Sequence, residues 1–489
     1  MRDTDVLAES PSKHQLLIGD EWLQAVEGET YPVTSPATGE EIAVLASAGT
    51  RDVDLAMQAA SEAFSKHRSA TFYERADWCD RAAEVILSRQ SDLAMSLMVE
   101  HGKPLAEAEG EVASAALGFS LAAQEARRLK GETIPVADPN KRVLTIRRPI
   151  GVWAVQTTWN FPINIPVEYL GPAIATGNAV VWKPAPTTSR IGVLLAECIL
   201  EAGVPPGLVN VLTGPSVEMA EALVTHPDAI GVGFTGSSVI GNLISQSAAG
   251  KHILLELGGN GPVIVLEDAD IERTAEAVSS AAFWNAGQSC AAAERILVEP
   301  GAYDELVDGL TKHASRITVG EPWEESTTMG PVHNEATAQK MDQHVADAAA
   351  TGAQVAFGGE RVAGMPTNLY YQPTVLEGVS PDALIQAEET FGPVAPVTRV
   401  EGDEEILEVA ARSPLGLSSA IFTSDVARAL RLAEQIETGQ VTINDTSNYW
   451  ELHLPFGGWP GKKSGMGRVG GRYALEAMTA IRSISIDVR

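Results

Sequence analysis

The chain has 489 residues and a mass of 51.7 kDa, a length that suggests about three domains. Hydrophobic residues make up 45 % and charged residues 20 %, which excludes global disorder and collagen-like or coiled-coil architectures. Acidic residues number 64 against 35 basic ones, a net charge of −29; such a surface repels polyphosphate and argues against a nucleic-acid partner.

The opening stretch MRDTDVLAESPSKHQ is polar and carries no apolar signal region. Residues 54–127 read mostly as helix, with Ala-rich amphipathic runs such as 84–99. The segment 131–148 (GETIPVADPNKRVLTIRR) reads as a β-hairpin. From Pro149 short apolar strands alternate with longer helices. Strands are expected at Val152–Val155, Ala179–Trp182, Leu208–Leu212, Ile230–Phe234, Ile253–Glu256 and Pro262–Leu266. Helices are expected near 165–175, 187–202 and 216–225. This alternation implies a parallel sheet covered by helices. A second alternating region spans about 260–440, with strands near 295–298, 371–376 and 418–422. The C-terminal Ile481–Val488 alternates apolar and polar residues like an amphipathic strand. Because lone strands are marginal, the hairpin and this strand are expected to pair with something else, such as another subunit.

No run of about 18 apolar residues exists, so no membrane span is expected. Three cysteines, Cys79, Cys198 and Cys290, cannot form a full disulfide set and suggest a reducing cytoplasm. The nine histidines show no metal-ligand spacing, so no metal site is expected. Arg exceeds Lys and acids dominate, a pattern that fits a solvated surface or adaptation to high salt.

A literal G-x-G-x-x-G occurs at Gly465–Gly470 (GMGRVG). No apolar strand precedes it and no βαβ unit follows, so it reads as a Gly-rich turn. Phe234-Thr235-Gly236-Ser237-Ser238-Val239-Ile240-Gly241 is the better phosphate loop. It follows a strand and opens a helix, where Gly236 allows close approach and free N–H groups meet an anion. Lys183 ends the strand AVVW, where parallel sheets bind ligands; a solvated surface Lys is the plain alternative.

Cys290 lies in Phe283-Trp284-Asn285-Ala286-Gly287-Gln288-Ser289-Cys290. Gly287 is read as ending a helix and Cys290 as opening the next turn, where N–H dipoles would favour the thiolate. Glu256 ends an apolar strand, and burial there would raise its pKa toward the range of a base. Asn160, in Thr158-Trp159-Asn160-Phe161-Pro162, supplies an amide at a strand's carboxyl end.

The chain resembles the aldehyde dehydrogenase superfamily over nearly its whole length. The motifs that carry the resemblance are Trp159-Asn160-Phe161-Pro162, Lys183-Pro184, Phe234-Thr235-Gly236-Ser237, Glu256-Leu257-Gly258-Gly259-Asn260, Gly287-Gln288-Ser289-Cys290, Glu389-Thr390-Phe391-Gly392-Pro393 and Pro455-Phe456-Gly457-Gly458. The resemblance implies an α/β fold: a Rossmann-type cofactor domain (1–127 and 150–258), an α/β catalytic domain (259–445) and a small β oligomerisation flap (128–149 and 474–489). It implies NAD(P)-dependent oxidation of an aldehyde to a carboxylic acid in a homodimer or homotetramer. Cys290 would attack the aldehyde, Asn160 and the Cys290 N–H would bind the oxyanion, and Glu256 would activate the water that hydrolyses the thioester. CoA-acylating relatives do not need such a base, so Glu256 favours a free acid.

By the same resemblance Lys183 holds the adenosine ribose, Ser237 the pyrophosphate and Glu389 the nicotinamide ribose, with Phe391 beside the nicotinamide. Thr158, Trp159, Gly214, Phe234, Gly236, Gly241 and Leu257 complete the cofactor set. Pro186 stands where NAD-preferring relatives often carry a Glu that repels a 2′-phosphate, so NADP is admitted beside NAD. Phe161, Asn164, Glu168, Trp284, Tyr449 and Trp450 are placed along the substrate tunnel. Their aromatic character suits an apolar or aromatic aldehyde. Relatives that act on dicarboxylic semialdehydes often have an Arg where Glu168 stands. An acid there would repel a second carboxylate and suits a hydroxyl or a cationic amine, unless it merely pairs within its own helix.

Overall fold

The computed structural model describes residues 11–489. The first ten residues, which hold most of the polar opening stretch and the start of the expected cofactor domain, lie outside the described residues. Two large sheets organise the molecule. The first has eight strands. At its centre five run parallel, in the spatial order His252–Glu256, Ala229–Thr235, Val152–Gln156, Ala179–Lys183 and Val209–Val211. Their side chains are buried almost throughout, as expected of strands covered on both faces. Helices Thr50–His67, Phe72–Ser88, Asn164–Thr176 and Ser189–Glu201 pack around them.

The strand order reverses beside Val152–Gln156. From there the chain steps through 179–183 to 209–211, then returns to the other side with 229–235 and 252–256. Loops diverge at such a reversal and leave a crevice at the carboxyl ends of the strands. The loops that follow 152–156, 229–235 and 252–256 all open there.

The second sheet has seven strands. All neighbours in it are parallel except Gln354–Phe357, which lies antiparallel to Thr374–Glu377. Its core holds Val263, Val265, Ile296, Val298, Val397 and Phe422, packed under helices Ile271–Phe283 and Pro300–Ala314.

Three expectations need correction. The 84–99 run is not one helix. Phe72–Ser88 ends and Gln90–His101 begins around Arg89, whose guanidinium leaves the helix axis to pair with Glu197 at 3.1 Å. The hairpin and the C-terminal strand do not wait for another subunit. Thr479–Asp487 lies antiparallel to Lys141–Pro149, which also pairs with Thr133–Ile134, so the chain builds this three-stranded sheet by itself. The third concerns Cys290 and is described below. The decoy G-x-G-x-x-G forms a short edge strand, Gly465–Met466, antiparallel to His252–Glu256. A Cβ on Gly465 would come within 2.1 Å of the Leu255 carbonyl oxygen, so its glycine serves close strand packing.

Candidate active site

Glu256 is the last residue of its strand and is 4 % exposed. Burial pushes its carboxyl up to about 8, against a smaller opposing pull from the neighbouring Cys290 thiol. Its Oε1 has no hydrogen-bond partner among the described residues. Cys290 does not open a helix, contrary to the reading of its motif. Helix Ile271–Phe283 ends, Trp284–Gly287 makes a short 3₁₀ turn, and Cys290 sits in a turn with no helix behind it. No helix dipole therefore favours its thiolate. Burial first, then the carboxylates of Glu256 and Glu389, hold the thiol well above its usual range. In the free site these effects favour the protonated thiol.

The turn that presents Cys290 is strained. Asn285 and Ala286 both have φ of 53°, an uncommon conformation for residues with a Cβ. Gly287 completes the bend, and a Cβ there would lie 2.2 Å from the Gly392 carbonyl oxygen. Asn285 Nδ2 donates to the backbone oxygens of Asn160 at 3.1 Å and Gln288 at 3.2 Å. Asn160 Nδ2 donates to the Gln288 oxygen at 3.1 Å. One amide hydrogen of Asn160 remains free, and the Cys290 N–H makes no hydrogen bond among the described residues.

A buried charged cluster, not foreseen from sequence, holds the Asn160 loop from behind. Lys103 Nζ lies 2.5 Å from Glu111 Oε2 and donates to the Asn160 carbonyl oxygen at 3.1 Å. Glu111 Oε1 accepts from Ile163 N at 3.0 Å and Asn164 N at 3.2 Å. Trp159 stacks on His333 at 4.6 Å, and His333 stacks on His101 at 5.2 Å.

Two cavities meet at Cys290 and Glu256. The first, about 330 Å³, is walled by Thr158, Trp159 and Asn160, by Gly236 and Ser237, and by Leu257, Glu389 and Phe391. Thr235, Gly258, Asn334, Ala336, Thr337 and Lys340 join it unforeseen. The last four belong to the start of helix Glu335–Ala350 and its Asn334 cap, where no local motif marks a binding role. Phe234 and Gly241 lie one layer beneath. A Cβ on Gly236 would approach the Phe234 ring to 2.6 Å, and one on Gly241 would approach Leu257 to 2.3 Å. Lys183 and Gly214 stand outside this wall. Lys183 is buried rather than solvated, and burial lowers its ammonium to about 8.

Glu389 Oε1 accepts from Gly259 N at 2.8 Å, and Lys340 Nζ donates to the Glu389 carbonyl oxygen at 3.0 Å. Burial raises the Glu389 carboxyl to about 7. Glu294 accepts from the Thr390 and Phe391 N–H groups, each at 2.6 Å, and so fixes Phe391 at φ 60°. Helix Ser238–Ser247 presents its N-terminus to this cavity with Ser237 as cap. That cradle, with Lys340 nearby, suits the pyrophosphate of a dinucleotide, and Glu389 suits ribose hydroxyls.

The second cavity, about 160 Å³, is lined by Phe161, Asn164, Glu168, Trp284 and Trp450. Ser114, Ile165, Ser289, Ala291 and Phe456 also reach it, as do Asn448 and Leu452 of the segment 446–453. Phe161 and Trp284 stack at 4.9 Å. Tyr449 does not line it; its side chain is exposed and its hydroxyl donates to Glu451.

The family model for the aldehyde dehydrogenase family matches residues 22–484. A glutarate-semialdehyde dehydrogenase of Pseudomonas putida is 38 % identical, covering 97 % of this chain and 98 % of that protein. An NADP-dependent succinate-semialdehyde dehydrogenase of Escherichia coli is 37 % identical, again covering 97 % and 98 %. The crystal structure of a succinate-semialdehyde dehydrogenase from Burkholderia pseudomallei superposes with a TM-score of 0.95 at 37 % identity, over the whole of both chains. The chain thus belongs to the aldehyde dehydrogenase family and carries out NAD(P)-dependent oxidation of an aldehyde to a carboxylic acid.

Proposed function

We propose that Cys290 is the nucleophile, Asn160 the oxyanion donor and Glu256 the base of a hydrolytic aldehyde dehydrogenase. The observation that carries this assignment is that Cys290 and Glu256 are shared by the larger cleft and the aromatic cavity. A sulfur at that junction can be acylated from one side while facing an oxidant on the other. Glu256 takes the thiol proton, and Cys290 Sγ bonds to the aldehyde carbon. The free amide hydrogen of Asn160 and the Cys290 N–H meet the oxygen that becomes negative. The nicotinamide, when bound, supplies the hydride acceptor that turns the thiohemiacetal into a thioester. Once that proton has passed to solvent, Glu256 deprotonates a water that adds to the thioester carbonyl; the C–S bond breaks, Cys290 leaves as thiolate and the acid is released.

The first cavity supports Ser237, Trp159, Glu389 and Phe391 as cofactor contacts, with Lys183 and Gly214 serving from outside its wall. We assign the eight-stranded sheet to cofactor binding, the seven-stranded sheet to the catalytic half and the three-stranded sheet to a homo-oligomer contact. Among the described residues no helix is long and apolar enough to cross a membrane, and the three free cysteines suit a reducing cytoplasm. Absorbance of NADH and NADPH on adding aldehydes tests the reading, with Cys290→Ala as control. Undiminished turnover in that variant overturns it.

A further inference from the structure

The aromatic cavity carries an unexplained pair of acceptors. Asn164 and Glu168 stand one turn apart on helix Asn164–Thr176, a spacing that puts both on one face, and both line the cavity. Glu168 makes no hydrogen bond and no ion pair among the described residues, so the alternative of pairing within its own helix is not realised. Asn164 Oδ1 is buried without a partner among the described residues. An unpaired acceptor in a closed space carries a desolvation cost that a ligand's donor would offset.

The rest of the lining sharpens the chemistry. It holds no Arg, Lys or His. The nearest ammonium, Lys103, lies behind Phe161 at 4.5 Å from its ring and is committed to Glu111. The indoles of Trp284 and Trp450 also line it, and an indole face not covered by another ring attracts a cation. A second carboxylate on the substrate would meet Glu168 and Glu256 with nothing to balance it.

We propose that Glu168, with Asn164, recognises the far end of the substrate and selects aldehydes that bear a protonated amine. The inference rests on the reaction assigned above and departs from the anionic semialdehydes named for its relatives. Burial and the facing Glu256 carboxylate push the empty-site Glu168 carboxyl well above its usual range, and an ammonium neighbour opposes both effects.

The test compares three aldehydes with the same two-methylene spacer: 3-aminopropanal, butanal and succinic semialdehyde. The wild-type enzyme should favour the amine over the carboxylate by on the order of 100-fold in kcat/KM, since like-charge juxtaposition costs several kcal/mol. Glu168→Gln should cut the preference for 3-aminopropanal over butanal by about 30-fold, the loss expected when one partner of a buried charge pair is neutralised. Butanal turnover in the variant reports that it is folded. If that turnover is lost, the wild-type ratio alone decides. Succinic semialdehyde oxidised as well as 3-aminopropanal by the wild-type enzyme, or an unchanged preference in a Glu168→Gln variant that still turns over butanal, overturns the proposal while leaving the reaction intact. No NAD(P)H from any of the three would instead overturn the reaction assignment.

Discussion

Replacing Lys103 by Met should weaken the fold and the active site together. The Lys103 side chain is 1 % exposed and its partner Glu111 is 4 % exposed. Removing the ammonium leaves a buried carboxylate supported only by the Ile163 and Asn164 N–H groups. Breaking a buried pair from one side typically costs about 3–5 kcal/mol, which is a large share of the ~5–15 kcal/mol by which folded proteins are stable. The same change deletes one of two donors to the Asn160 carbonyl oxygen, leaving Asn285 at 3.1 Å. The Asn160 peptide is then free to shift, and a displacement of about 1 Å at a catalytic group costs on the order of 100-fold in rate. Adding Glu111→Gln to Lys103→Met removes the stranded charge and should recover part of the stability but not the rate. Urea unfolding and steady-state kcat on one aldehyde measure the two effects. An unfolding midpoint and kcat both equal to wild type would refute the reasoning. So would a double variant less stable than Lys103→Met alone.

Three further outcomes follow from the site. Because Glu256 takes the thiol proton before it activates water, Glu256→Gln should slow both the first-turnover burst of NAD(P)H and steady-state turnover; a full burst with slow turnover would confine Glu256 to deacylation. In the wild-type enzyme the working form of Glu256 is the carboxylate, which predominates above its pKa, so the deacylation rate should rise with pH through about 8 and level off beyond it. A flat profile in stopped-flow deacylation contradicts that role. Asn160→Ala should lower kcat by about 10²–10³-fold, the usual loss for one oxyanion donor. Circular dichroism should show the fold kept, and a loss below tenfold removes Asn160 from the oxyanion site.

The loops that meet the ligands were legible because each follows a strand whose apolar run is local in sequence. Gly236 and Ser237 after 229–235, and Asn160 after 152–156, fall where the sheet's reversal opens its crevice. The chemistry of Cys290 was legible by its neighbours but its electrostatics were not. A helix start was read into Gly287–Cys290, whereas left-handed Asn285 and Ala286 turn the chain without a helix to follow. Lys103 and Glu111 lie just before and within the start of a long helix, where charged residues ordinarily mark a solvated face. Only tertiary packing against the Asn160 loop turns them inward. The partner of the C-terminal strand was hidden for a similar reason: Ile481 pairs with Arg147, hundreds of residues away, and alternation reveals a strand without revealing its neighbour.

The meeting of two chambers at one sulfur has a kinetic corollary. With the two cavities assigned to dinucleotide and aldehyde as proposed, neither ligand has to vacate space for the other and both can reside on the protein at once. Saturating one reactant should not block access of the other. The acid can depart through its own chamber while the spent dinucleotide is still seated, which leaves the sequence of product departures to the relative grip of the two chambers and not to steric exclusion.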